Sequence, residues 1–234
     1  MTWVWNIKEK KMVRKHRLPP HFIRRCVVLF VGLCFMGAGV AMAIIGNLGI
    51  TPVSSIPYVL SILIEPLTVG TATICMHSLF IIVQILIMRK KYDLFHLLQF
   101  PIVIAFGYIT DFFNWLLGDK LGWCANTYWQ QWIFLLIGIL LSSFGVALEV
   151  LSRVETMAAE GMSMAISTVT KFKFTNIKVF FDVLFVVIAA VLGFIATGGL
   201  LGVREGTIAA ALLTGTLCEL HLRYLRSFER VALM

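Results

Sequence analysis

The sequence predicts an all-α protein, a polytopic transmembrane helical bundle of about six spans plus two short re-entrant or half helices, arranged as two inverted repeats. Three observations predict it. Hydrophobic residues make up 59% of 234 positions and charged residues 14%, against roughly half and a quarter in a soluble domain. Apolar runs near 26–45, 68–88, 132–150 and 179–195 approach or reach the roughly 20 residues that cross about 30 Å of hydrocarbon as a helix. Two further apolar runs, 52–64 and 157–170, are too short to cross, and they hold matching places in the two halves of the chain.

Residues 1–25 form a basic tail, with Lys8, Lys10, Lys11, Arg14, Lys15 and Arg17 ahead of Pro19-Pro20, suited to brushing anionic headgroups. The first apolar run lacks the small-residue cleavage site of a signal peptide, so it is expected to remain as the first span. The first repeat, 26–118, contains apolar segments at about 26–46, 52–64, 68–88 and 96–117. Within it, Thr51-Pro52 reads as a helix start, with Thr as N-cap and Pro at the first helical position, where its missing N–H costs nothing. An external loop, 119–129, has Trp115, Trp123, Tyr128 and Trp129 in and around it, where an interfacial aromatic belt would place them. The second repeat, 130–222, contains segments at about 130–150, 157–170, 175–196 and 200–220, and residues 223–234 form a second tail.

The basic residues decide between six and eight crossings, because cytoplasmic loops carry the Lys and Arg excess. With the two short segments re-entrant, 18 of the 20 basic residues fall on the inner side, leaving Lys120 outside and Arg204 within a helix. With all eight segments crossing, 15 fall inside and 4 outside. Six spans with both termini cytoplasmic is therefore the expected topology. The net charge of +8 then reports orientation, not nucleic acid, since no aromatic residues interleave the basic clusters.

A weak internal repeat runs through the chain. Ser54 to Ser61 lies over Glu160 to Ser167, Thr68 over Thr175, and Gly107-x-x-x-Asp111 over Gly215-x-x-x-Glu219. Three spans per half make the second half enter from the opposite side, so the repeats would be inverted. Interrupted segments at matching positions of inverted repeats point to a transporter with its site at mid-membrane. The two short helices would present their N–H groups and positive dipole ends to a solute there.

Ionisable groups in spans are costly, so each needs a partner, a cavity or a role. Glu149 and Arg153, four apart with Glu first, suit a helical ion pair, as do Lys178 and Asp182. Glu160, in the first turn of the second short helix, either complements the helix dipole or holds a proton or cation opposite Ser54 and Ser55. Asp111 and Glu219 sit near helix ends, where snorkelling is available. Gln84 and His77 lie deeper and suit interhelical hydrogen bonds. Gly198 to Thr207 places Arg204 and Glu205 among glycines at the start of the final span, suiting an anion-facing group and a balancing acid.

Five scattered cysteines (Cys26, Cys34, Cys75, Cys124 and Cys218) without a Cys-x-x-Cys pair indicate neither a disulfide framework nor a thiolate metal site. No His-Glu-x-x-His, Walker or Gly-x-Ser-x-Gly pattern occurs, so no enzyme, catalytic residue, metal or cofactor is expected.

Leu48 to Ser61 (LGITPVSSIPYVLS), Leu67-Thr68-Val69-Gly70-Thr71, Leu98-Gln99-Phe100-Pro101, Phe106 to Asp111 and Gly202-Val203-Arg204-Glu205-Gly206-Thr207 together resemble the YczE/YyaS/YitT family of bacterial integral membrane proteins, over roughly 27–222. The resemblance implies a multi-pass protein of the bacterial plasma membrane with a transport function. Ala158-Ala159-Glu160-Gly161 departs from the Pro-Gly-Asp/Glu-Gly version of relatives.

The expected function is a secondary transporter or permease for a small anionic or zwitterionic solute, with its site between the repeats at mid-membrane. Thr51, Ser54, Ser55, Glu160, Gly161, Arg204, Glu205 and Thr207 are the expected substrate-binding residues, and Asp111 and Asp182 the candidate coupling groups. The rivals are a non-transporting accessory or assembly protein and a channel. Expected partners are the lipid bilayer and an unidentified small molecule or ion; a homo-oligomer is left open.

Overall fold

The computed structural model describes residues 21–89, 92–170, 172–199 and 201–232, with 226–232 as backbone only. The expectations for the basic tail at 1–20, for Lys90, Lys91 and Lys171, and for the side chains of Arg226 and Arg230 lie outside the described residues. Among those described, every regular element is helical.

Eight α-helices follow in order: α1 Phe22–Gly46, α2 Pro52–Leu63, α3 Val69–Met88, α4 Gln99–Asn114, α5 Tyr128–Ser152, α6 Ala158–Thr170, α7 Phe174–Thr197 and α8 Glu205–Ala232. Their ends have local causes. Asn47 and Gly198 take left-handed conformations after α1 and α7, a common way to stop a helix. Thr68 with Thr71, and Thr127 with Gln130, close capping boxes at α3 and α5, each satisfying two otherwise orphaned N–H groups. A 3-10 turn at Leu94–Leu98 and a π turn at Trp115–Lys120 lengthen α4 at both ends, giving a continuous 27-residue stretch.

Five helical stretches are long and apolar enough to cross a membrane: α1, α3, α4 with its flanking turns, α5 and α7. The chain is thus an integral, multi-pass membrane protein. Phe180, Val183, Val187, Val191, Phe194 and Ile195 on α7 are exposed, an outward apolar face that only lipid or another apolar surface would tolerate. At 12 and 13 residues, α2 and α6 reach only about 18 and 20 Å, as their apolar run lengths lead one to expect. The 28-residue α8 is long enough but falls outside the five, because Glu205, Glu219, His221 and Arg223 lower its hydropathy.

Two expected boundaries move. The first helix begins at Phe22, four residues before the expected start, and takes in Arg24 and Arg25. Arg25 is buried because its guanidinium donates to Ser152 O at 3.2 Å, which joins the start of α1 to the end of α5. The last helix runs ten residues past 222, so the second tail is largely helical.

The α1–α5 pair is the most extensive helix contact in the structure. Gly32 lies against Gly145, Gly39 against Gly138, and Gly46 against Gln131, so the two helices run antiparallel. A Cβ on Gly145 would stand 2.5 Å from Gly32 O, and one on Gly39 would stand 2.6 Å from Gly138 O. Glycine at these positions lets the backbones touch, as small residues do in membrane helix pairs.

Helix starts in the two halves, at 22, 52, 69 and 99 and at 128, 158, 174 and 205, are separated by 105 or 106 residues in every case. The packing pairs off in the same way: α1 on α4 as α5 on α8, and α2 on α7 as α6 on α3. The first turns of α2 and α6 meet in one apolar cluster, where Val53, Ile56, Ala158, Ala159 and Met162 surround the stacked rings of Phe80 and Phe185.

Candidate functional site

The polar residues singled out in the sequence fall into four places. At the start of α6, Glu160 stands in the first turn, where its charge complements the helix dipole. Lys178 on α7 reaches it at 3.4 Å and reaches Asp182 at 3.8 Å. The expected Lys178–Asp182 pair is therefore present, and the ammonium is shared with a second carboxylate from another helix. All three side chains keep a fifth to a third of their surface exposed, so the cluster is screened without being sealed.

His77 on α3 belongs to this neighbourhood, within Coulombic reach of Glu160. It is 2% exposed and its ring packs on Phe80. Its Nδ1 has no hydrogen-bond partner, which is unusual for a buried polar atom and departs from the interhelical bond expected of it. Gln84 behaves as expected: its amide donates to Gln99 Oε1 at 3.1 Å and to Ala158 O at 3.0 Å. Gly161 sits where a Cβ would meet Gln84 Oε1 and Gln99 Nε2 at 2.7 Å, so it makes room for both amides.

At the start of α2, Thr51 is the N-cap and Pro52 the first helical residue, as the sequence indicates, yet the Thr51 hydroxyl makes no capping bond. It donates instead to Ser54 Oγ at 3.0 Å. Ser55 is fully buried, donating to Pro52 O at 2.6 Å and lying 3.5 Å from Phe185 O. Phe185 is the twelfth of the 24 residues of α7, so α2 begins at the level of the middle of α7.

The third place is the end of α1 against the start of α8. Arg204 donates to Asn47 O at 2.9 Å and lies 3.5 Å from Glu205. Gly206 N donates to Leu48 O at 2.9 Å. Gly49 has φ +113 and would carry a Cβ 2.5 Å from the Thr207 hydroxyl, so only glycine fits. Beside this contact a small pocket is lined by Asn47, Gly49, Ile50, Tyr58, Gly202 and Arg204. Arg204 and Glu205 are thus held to the 47–51 linker, and Thr207 is buried beneath it.

Asp111, a candidate coupling group, has a structural task here. It accepts from the Thr68 hydroxyl at 2.6 Å and from Gly70 N at 2.7 Å, capping α3 from the neighbouring α4. Glu149, expected to pair along its helix with Arg153, accepts from Met157 N at 3.0 Å just ahead of α6, while Arg153 turns left-handed at the end of α5.

Sequence reasoning missed one further network. His96 Nδ1 lies 3.1 Å from Glu155, whose other oxygen accepts from Gln99 at 3.3 Å. Through Gln99 and Gln84 this chain of side chains reaches the first residue of α6. Its only sequence signal is a set of polar residues at the edges of apolar runs.

Residues 23–223 match the model of a family described as "Family of unknown function (DUF6198)". No curated protein and no solved structure matches the chain.

Proposed function

The chain belongs to this family of unknown function, DUF6198, and we propose that it is a small secondary transporter or permease built as two inverted repeats around a mid-membrane site. The observation that carries the reading is the antiparallel crossing of α1 on α5 between helices that start 106 residues apart. Equivalent helices that run antiparallel are related by an axis lying across them, the arrangement of inverted-topology transporters. Parity supports the same reading. If α1, α3, α4 and α5 all cross, α1 and α5 are antiparallel only when α2 does not cross. Gly206 packs on Leu135, and His221 on Ser143 and Phe144, so α8 runs parallel to α5 and serves as the sixth span.

Two half helices then begin near the centre, and the charges beside them are of both signs. Lys178 between Glu160 and Asp182, with the His77 Nδ1 uncommitted, favours a small zwitterionic or anionic solute over a simple cation. Burying such charges without a role would be costly. The resemblance to bacterial membrane proteins of the YczE/YyaS/YitT family, and the basic residues on one side, place it in a bacterial plasma membrane with cytoplasmic termini in this reading.

The test is uptake by proteoliposomes of the full-length protein from a defined mixture of amino acids, betaines and small carboxylates, read by mass spectrometry. At least one solute should accumulate, and K178M should abolish its accumulation while eluting as a monodisperse protein. Equal contents in protein-containing and empty liposomes would refute transport of this solute class.

A further inference from the structure

The linkers that lead into the two half helices are each clamped by the start of a long helix, at opposite ends of the molecule. On one end, Glu155 in the 153–157 linker is held by His96 and Gln99, at the start of α4. On the other, Asn47 and Leu48 in the 47–51 linker are held by Arg204 and Gly206, at the start of α8. The separation of 106 residues that relates the helices carries 153–157 onto 47–51 and the start of α4 onto that of α8. The first clamp lies at the end of α5, where Arg25 near the start of α1 also binds. The second lies at the end of α1. The 22 residues from Arg25 to Asn47 put about 33 Å between the two levels, roughly a membrane thickness.

We infer that these clamps are the two gates of the protein: Glu155 with His96 and Gln99 closes one face, and Arg204 with Asn47 closes the other. This rests on the transport reading above. Both clamps are made in this structure, so it corresponds to an occluded state with the polar centre shut off from either side. Each clamp consists of a few side-chain hydrogen bonds, at least one of them to a charged group, so each is separately breakable while the glycine crossing of α1 and α5 stays fixed. Opening one linker frees the start of the half helix it leads into, α6 behind Glu155 and α2 behind Asn47, and with it a route to the centre.

The experiment needs no substrate. S55C, in a full-length chain whose native cysteines are replaced by serine, reports on the centre, because Ser55 is fully buried at the start of α2. Its labelling by a membrane-impermeant methanethiosulfonate reagent is measured in intact cells and in inside-out vesicles. R204Q should raise the labelling rate from the Asn47 face about tenfold and lower it from the other, as removal of one charge-assisted hydrogen bond shifts a closed equilibrium. E155Q should do the reverse, R204K should stay near the parent rate, and E155Q with R204Q should be labelled from both faces. Size-exclusion elution like the parent's is required of each variant. Equal changes on both faces in the single variants would make the clamps mere struts and overturn the gates. No labelling from either face in the double variant would mean that no aqueous route reaches the centre, and would overturn the transport reading itself.

Discussion

Replacing Gly39 by alanine perturbs the contact on which the fold depends most. The added Cβ would stand 2.6 Å from Gly138 O and 2.7 Å from Ser142 N, about 0.8 Å inside the roughly 3.5 Å at which carbon contacts are favourable. Both neighbours are backbone, so no side-chain rotation relieves the clash and α1 must move off α5. Overpacking of this kind costs about 1–3 kcal/mol, and the immobile neighbours place Gly39→Ala near about 3 kcal/mol, or roughly a hundredfold in the unfolding equilibrium. Gly145, its equivalent at a separation of 106, would place a Cβ 2.5 Å from Gly32 O, so Gly145→Ala should cost a similar amount. The assay is SDS-titrated unfolding in mixed micelles, followed by tryptophan fluorescence, with Gly118→Ala as control because nothing lies within 4 Å of a Cβ there. Wild-type stability in Gly39→Ala and Gly145→Ala would refute the close antiparallel crossing.

Three further substitutions separate structure from function. Asp111→Ala removes the acceptor for Thr68 and Gly70 N and should cost about 1 kcal/mol, as loss of a helix cap does; solute uptake lost without any fall in thermal stability would return Asp111 to a coupling role. Gln84→Ala leaves Gln99 Oε1 and Ala158 O without their donor and should cost about 1–3 kcal/mol by the same unfolding titration, an unchanged midpoint counting against the network. His77→Phe keeps the ring packing on Phe80 and removes a ring nitrogen that binds nothing, so stability should change by less than about 1.5 kcal/mol while uptake falls; unchanged uptake would remove His77 from the site.

Much of the fold is written in the sequence at the level of run lengths. A 12-residue helix opening on Thr51-Pro52 and a 13-residue one carrying Glu160 follow from apolar runs too short to cross. The separation of about 106 residues seen in a few weak identities reappears in every helix start. Gly32 and Gly39 recur as Gly138 and Gly145 at that same separation, a repeated glycine pair that marks the helix crossing in the sequence itself. Boundaries set by capping were harder: Arg25 joins α1 because a carbonyl from α5 receives it, a contact 127 residues away that hydropathy does not record.

The site is legible only in part, for the same reason. Lys178–Asp182 lies along one helix and could be read from spacing. That Lys178 also serves Glu160, that Asp111 caps a different helix, and that His77 keeps a bare nitrogen all depend on which helix faces meet. Arg204 reads as a charge exposed to a solute, whereas packing gives it the carbonyl of Asn47.

The most direct test of inverted repeats is the side of the membrane on which the chain turns. Single cysteines at Glu65, Arg89 and Lys173, in a cysteine-free chain, are treated in intact cells with an impermeant thiol reagent. Labelling at 65 with protection at 89 and 173 is the outcome expected of six spans and two half helices. Protection at 65 with labelling at 89 would mean that α2 crosses, that the repeats run parallel, and that no mid-membrane site lies between them.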